Sequence, residues 1–122
     1  MIRQFTSKTQ QFGLQGEDMA VVFLMKHKFS IIERNSNSRN GEIDIVAKKK
    51  RKYYFFEVKT GKEESWFNPA DNLTKEKLSK LFRSVEYYCY TRNIKYYSVQ
   101  GIVVLLRQYD SSVASIEIID LT

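Results

Sequence analysis

Residues 41 to 61 read GEIDIVAKKKRKYYFFEVKTG: a basic run, Lys48 through Lys52, separates two short segments of β-branched and aromatic residues, each interrupted by acids. That composition predicts strands over Ile43 to Lys48 and Tyr53 to Thr60, joined by a tip too short for anything but a hairpin. Glu42, Asp44 and Glu57 need a reason to be there, because charged side chains are seldom placed among apolar ones in a strand unless something binds them. If the hairpin turns symmetrically about Lys50 and Arg51, Asp44 lies opposite Glu57, Val46 opposite Phe55 and Glu42 opposite Lys59. Alternation then puts Glu42, Asp44, Glu57 and Lys59 on one face and Ile43, Ile45, Ala47, Tyr54, Phe56 and Val58 on a core face. A slip of one residue would part Asp44 from Glu57.

Working outward, Ala20, Phe23, Leu24 and His27 recur at helical spacing and predict a helix from about Gln10 to His27, with Gly13 and Gly16 marking close packing or a frayed start. Phe29 to Glu33 reads as a strand, ended by the turn-rich string Asn35 to Gly41. After the hairpin, residues 61 to 73 form a loop with the only proline, Pro69. Thr74 then caps a helix whose apolar stripe is Leu78, Leu81, Phe82, Val85 and Tyr88. Ser98 to Leu106 is nearly all apolar and reads as a central strand, and Ile116 to Ile119 as an edge strand. The order is α-β-β-β-α-β-β, an α/β mixed sheet flanked by helices.

At 122 residues the chain suits one domain, 1–122. A hydrophobic fraction of 43% with 14% aromatic residues is that of a globular protein rather than a disordered or membrane-spanning one. The start MIRQFTSKTQQFG has no apolar signal segment, which points to the cytoplasm. The single cysteine, Cys89, has no partner in the chain and reads as a buried or half-buried thiol with no redox work to do. A formal charge of +6 favours a polyanionic partner, most often nucleic acid.

Two carboxylates held as close as Asp44 and Glu57 repel and raise one another's pKa unless a cation sits between them. Oxygen donors alone select a hard divalent ion, and Mg2+ takes one or two carboxylates and fills its other positions with water and substrate phosphate; Mn2+ would substitute. Lys59 on the same face would lower the pKa of a bound water, position it, or stabilise charge on a phosphate. These are the parts of a phosphodiester hydrolase. The plain alternative is a Glu42 to Lys59 cross-strand ion pair, with Asp44 and Glu57 turned to solvent from an edge hairpin.

Asp44, a short turn and Glu57-x-Lys59 resemble the PD-(D/E)-x-K nuclease signature. With Gly16-Glu17, Glu33-Arg34-Asn35, Gly41-Glu42-Ile43-Asp44 and Leu73-Thr74-x-x-Lys77, the chain resembles the YraN family of small predicted endonucleases over roughly residues 10 to 105. The resemblance implies a restriction-endonuclease-like fold, distantly similar to archaeal Holliday junction resolvases, and magnesium-dependent cleavage of DNA. It makes Asp44 and Glu57 metal ligands, Lys59 the lysine of the motif, and Glu17 a helix-borne further acid reaching the metal directly or through water. The other reading of Glu17 is a surface acid near a helix start. Glu42 is expected to orient Lys59 rather than to ligate. The chain departs from the family at Val99-Gln100-Gly101, where members often carry an arginine-phenylalanine-aspartate triplet, and at Gly61, where a basic residue often stands. Both changes spare the acid pair.

Arg34, Arg39 and Lys77 are the candidate phosphate contacts; the tip lysines are equally a DNA contact or a solvated turn. Trp66 and Phe67 serve the core, a dimer contact or a stacked base. Symmetrical junctions need two incisions, which by analogy to resolvases points to a homodimer. The leading expectation is therefore a magnesium-dependent endonuclease acting on branched or otherwise structured DNA. The alternatives are a nucleic-acid-binding module that uses the nuclease fold without catalysis, and a small protein-interaction domain.

Overall fold

The computed structural model describes residues 8–63, 73–107, 109–110 and 112–122, with side chains from Gln15 onward. The elements are α1 (Lys8–Lys26), β1 (Ser30–Ser38), β2 (Gly41–Lys49), β3 (Lys52–Lys62), α2 (Lys75–Arg92), β4 (Tyr97–Leu106) and β5 (Val113–Asp120). This is the expected order. The strands form one five-stranded sheet in the order β1-β2-β3-β4-β5. Neighbours are antiparallel except β3 and β4, which run parallel because α2 carries the chain back between them.

The hairpin has the register its sequence predicts from Lys49↔Lys52 to Ile45↔Phe56, with Val46 facing Phe55, while the expected pairs Asp44↔Glu57 and Glu42↔Lys59 are not part of the ladder. It is not an edge hairpin, since β1 covers the far side of β2 and β4 the far side of β3. Nor is one of its faces left to solvent. Ile45, Ala47 and Phe56 pack with Ala20 and Leu24 of α1, while Val46 and Phe55 pack on the other side with Leu81, Val85 and Tyr88 of α2. Ile43 also joins the α2 cluster, against strict alternation with Ile45. The recorded β2 to β3 pairs stop at Ile45, so β3 no longer fixes the plane of the residues before it.

β1 is longer than expected. Ser36, Asn37 and Ser38 pair with Ile43, Glu42 and Gly41, and only residues 39 and 40 turn the chain. An edge strand bonded on one side tolerates such a polar, turn-forming sequence because its outer groups face water. Asn35, φ 54°, sits inside this strand in the left-handed region that Asn tolerates best among non-glycine residues. Lys28, φ 71°, ends α1, and the Phe29 N–H closes back on the Leu24 carbonyl at 3.0 Å. His27 lies just past the helix, exposed, with Nδ1 donating to the Phe23 carbonyl at 2.8 Å, so it is not a core residue. Thr74 caps α2 as its sequence predicts, accepting the Lys77 N–H at 3.2 Å. β4 is interior and β5 is the second edge. Among the described residues no helix is long and apolar enough to cross a membrane. The loop residues Trp66, Phe67 and Pro69 lie outside the described residues.

Candidate functional site

β2 and β3 bring Asp44 and Glu57 together just past their last recorded pair, Ile45↔Phe56. Beyond it the Asp44 carboxylate itself accepts the Val58 N–H, at 2.8 Å. The Asp44 and Glu57 carboxyl groups are within hydrogen-bonding reach of each other, and Lys59 Nζ lies 3.3 Å from Glu57 Oε1. The arrangement is only partly screened by water: the Glu57 and Lys59 side chains are 22% and 24% exposed.

Two carboxylates with one ammonium and one backbone N–H between them are short of counter-charge. Burial, and then the neighbouring Glu57, push the Asp44 carboxyl up to about 8, against the help of the Val58 N–H. Burial pushes Glu57 up as well, and Lys59 opposes it. Cys89, by contrast, is a buried thiol pushed up to about 11 by burial alone, which fits an unreactive core residue.

A cleft of about 260 Å³ opens beside Glu57 between the hairpin and the first half of α2, and Asp44 does not line it. Glu42, Glu57 and Lys59 line one wall, and Lys77, Leu78, Lys80 and Ser84 the other. Gly41, with φ 142°, turns the chain here where a Cβ would lie 3.1 Å from Ser84 Oγ, so the wall stays narrow. Lys77 thus reaches the cleft as expected, joined by Lys80, which its sequence marks only as helix decoration. Glu42 is exposed at the cleft wall, while the ion pair recorded for Lys59 is with Glu57. Arg39 is exposed in the turn between β1 and β2, outside the lining among the described residues.

Glu17 lies well inside α1, so the reading of it as a surface acid favoured by a helix start fails: it is 8% exposed. Its Oε1 accepts from Arg34 Nε and Nη2, both at 3.2 Å, and from Asn35 Nδ2 at 2.9 Å. Arg34 Nη2 also reaches Asp18 at 2.7 Å. Glu17 is near enough for its charge to add to the upward push on Asp44, and among the described residues no group of three or more His, Cys, Asp or Glu side chains is placed to hold a metal. The acid pair therefore stands as two carboxylates, a set that suits a hard ion completing its shell with water.

The motif blocks acquire physical roles. A Cβ on Gly16 would overlap Thr60 Oγ1 and lie 2.8 Å from Thr60 Cβ, so glycine lets α1 press against β3 and carries Glu17 to β1. Glu33 accepts the Tyr88 hydroxyl at 2.9 Å, tying α2 to β1; burial and then Glu33 push that phenol up to about 12. Neither Asn35, Asp18 nor Tyr88 could be assigned from spacing, since their partners lie in distant elements. Gly101 pairs with Glu57 across β3 and β4, and a Cβ there would meet only ordinary contacts, the nearest at 3.7 Å. Glycine here thus leaves room beside Glu57.

The profile of the uncharacterised protein family UPF0102 matches residues 16–110. Relatives carrying the UPF0102 name include proteins of Sulfurovum, 41% identical over 95 residues (76% of this chain, 82% of the relative), and of Helicobacter hepaticus, 44% identical over 82 residues (67% and 72%). One of Clostridium perfringens is 35% identical over 95 residues, 78% of either chain.

Proposed function

Because this chain belongs to the uncharacterised UPF0102 family, the family its motifs resemble, we propose from the site itself that it is a cytoplasmic, metal-dependent endonuclease that hydrolyses DNA phosphodiester bonds, preferring branched or otherwise structured DNA. The observation that carries this reading is the acid pair: Asp44 and Glu57, both pushed up, meet on interior strands, and Glu57 holds Lys59 and lines a cleft that also carries Lys77 and Lys80. A pure binding surface has no need of clustered carboxylates that repel phosphate.

The donor set fits a hard cation: oxygen ligands only, short of counter-charge, beside a cleft open to solvent. Asp44 and Glu57 would hold Mg2+, or Mn2+ in its place, which when bound supplies charge neutralisation at the phosphate and a more acidic water. The chain's own groups do the rest. The Val58 N–H fixes one Asp44 oxygen. Glu57 holds the Lys59 ammonium at 3.3 Å, where it can orient the attacking water or meet the charge that builds on phosphate. Lys77 and Lys80 draw the polyanion into the cleft without reading its sequence.

The test is a cleavage assay on junction, flap and linear DNA with and without Mg2+, comparing wild type with Asp44→Asn, Glu57→Gln and Lys59→Ala. Metal-dependent cutting by wild type alone is expected; variants cutting as fast as wild type would assign the activity elsewhere. A second reading, a DNA-binding module without turnover, is favoured by one observation: Glu17 is engaged by Arg34 and Asn35. On that reading wild type binds DNA in a salt-sensitive way, Mg2+ brings no cutting, and Asp44→Asn binds at least as tightly.

A further inference from the structure

The acid cleft sits at one end of the β2 to β3 hairpin, and the chain's positive charge collects at the other. Three segments meet there. The turn after α1 is brought in by Ser30↔Lys48 pairing and by Lys49 Nζ, 5.0 Å from the Phe29 ring centroid. The loop after α2 is brought in by Tyr53↔Tyr97 pairing and the Tyr53 N–H, which donates to the Tyr96 carbonyl at 3.0 Å. The hairpin tip lies between them. Residues 26–28, 48–52 and 92–95 hold nine of the 20 Lys and Arg residues and none of the 14 Asp and Glu. The rest of the chain is therefore net acidic, and the overall charge of +6 comes from this pole. Asp120 and Glu86 border it, close enough to act on Lys52 and Tyr97 respectively.

Exposed aromatic rings stand among these cations. Tyr90 is 86% exposed, Tyr96 75% and Tyr97 36%. Lys48 and Lys52 are held over the Tyr53 and Tyr54 rings, at 5.1 and 5.4 Å, so part of the ridge is fixed in place. Cations that track a backbone, interleaved with open ring faces, are what single-stranded nucleic acid binds: phosphates meet the charges, and unpaired bases stack on the rings.

We infer that this pole is a second nucleic-acid surface, binding a single-stranded segment separately from the cleft. From Asp44 to Lys50 the extended strand spans roughly 20 Å, so a strand held here lies several nucleotides from the acids. The inference does not depend on hydrolysis in the cleft. It places single-strand affinity at the tip and at the α2 to β4 loop.

The experiment measures anisotropy of a labelled oligothymidylate and of a duplex of equal length across a salt series. The proteins are wild type, Lys50→Gln/Arg51→Gln/Lys95→Gln, Tyr90→Ser/Tyr96→Ser and Tyr96→Phe. The triple variant should bind the oligonucleotide about tenfold or more weakly, its log–log salt slope reduced by about 2. The double tyrosine variant should lose about fivefold or more on the single strand and little on the duplex, with its slope unchanged. Tyr96→Phe keeps its ring and should bind as wild type. Unchanged binding by the triple variant, or equal losses on single strand and duplex in the tyrosine variant, overturns the inference. Tighter binding to vesicles rich in anionic lipid than to the oligonucleotide overturns it in favour of a membrane surface. All the variants are exposed-site or charge-removing changes, and melting curves check that each is folded.

Discussion

Two pairs of acids lie near each other in this molecule and are treated in opposite ways. Glu17 and Asp18, on α1, are matched: Arg34 bridges them and Asn35 adds a third donor to the same Glu17 oxygen. Asp44 and Glu57, on the hairpin, share one ammonium and one backbone N–H, and both are pushed up. The first pair is a clamp between a helix and an edge strand. The second is charge that the fold leaves uncompensated, and a site that carries excess carboxylate beside an open cleft is prepared for a cation.

The sharpest way to break this contrast is to remove each pair's partner and ask what is lost. On the proposed reading, Asp44→Asn, Glu57→Gln or Lys59→Ala each lower the DNA cleavage rate by about a hundredfold or more with little change in fold, measured in single-turnover assays beside far-UV dichroism. Arg34→Ala should do the reverse, costing about 1–3 kcal/mol in urea unfolding because it strands buried Glu17, a cost that water limits because Arg34 is 33% exposed. Arg34→Lys recovers only part of this, since one ammonium cannot replace the fork that reaches both acids.

The contrast also has a sign in pH. Asp44 has a folded pKa of about 8, above its unfolded value, so its contribution is fully present below the unfolded pKa of about 3.9 and is lost as pH rises through about 8. Glu57 shifts in the same direction. Metal-free wild type should therefore lose stability on going from about pH 5 to about pH 9. Asp44→Asn should lose less, becoming more stable than wild type at the alkaline end by about 1–3 kcal/mol, read from melting curves with chelator. Saturating Mg2+ should shrink that difference. The smallest effect expected is that of Gly101→Ala: it should fold within about 1 kcal/mol of wild type, because its Cβ meets only ordinary contacts, and should leave Mn2+ binding unchanged.

What could be read from the sequence follows the same division. The hairpin register, the meeting of Asp44, Glu57 and Lys59, and the order of elements all rest on local patterns: a symmetric short tip, alternation and helical spacing. They hold in the structure as far as Ile45↔Phe56; before it alternation fails, and Ile43 packs with α2 instead of sharing the face of Ile45. The Glu17 clamp could not be read, because its partners sit 17 and 18 residues away in an edge strand whose Asn and Ser residues imitate a turn. The second buried face of the hairpin was hidden by the acids themselves, since alternation groups Val46 and Phe55 with Asp44 and Glu57 and only α2 decides which part is dry. His27 shows the opposite error: it keeps the helical spacing of Ala20 and Leu24 but falls one turn too late, beyond the end of α1.

The most direct measurement is a titration of the chelator-stripped protein with Mn2+ followed by electron paramagnetic resonance, with Asp44→Asn and Glu57→Gln in parallel and Mg2+ as competitor. The expected result is a single ion bound by wild type, displaced by Mg2+, and lost in both variants. Equal binding by wild type and both variants, or none by any of them, would contradict the assignment of this acid pair as a cation site.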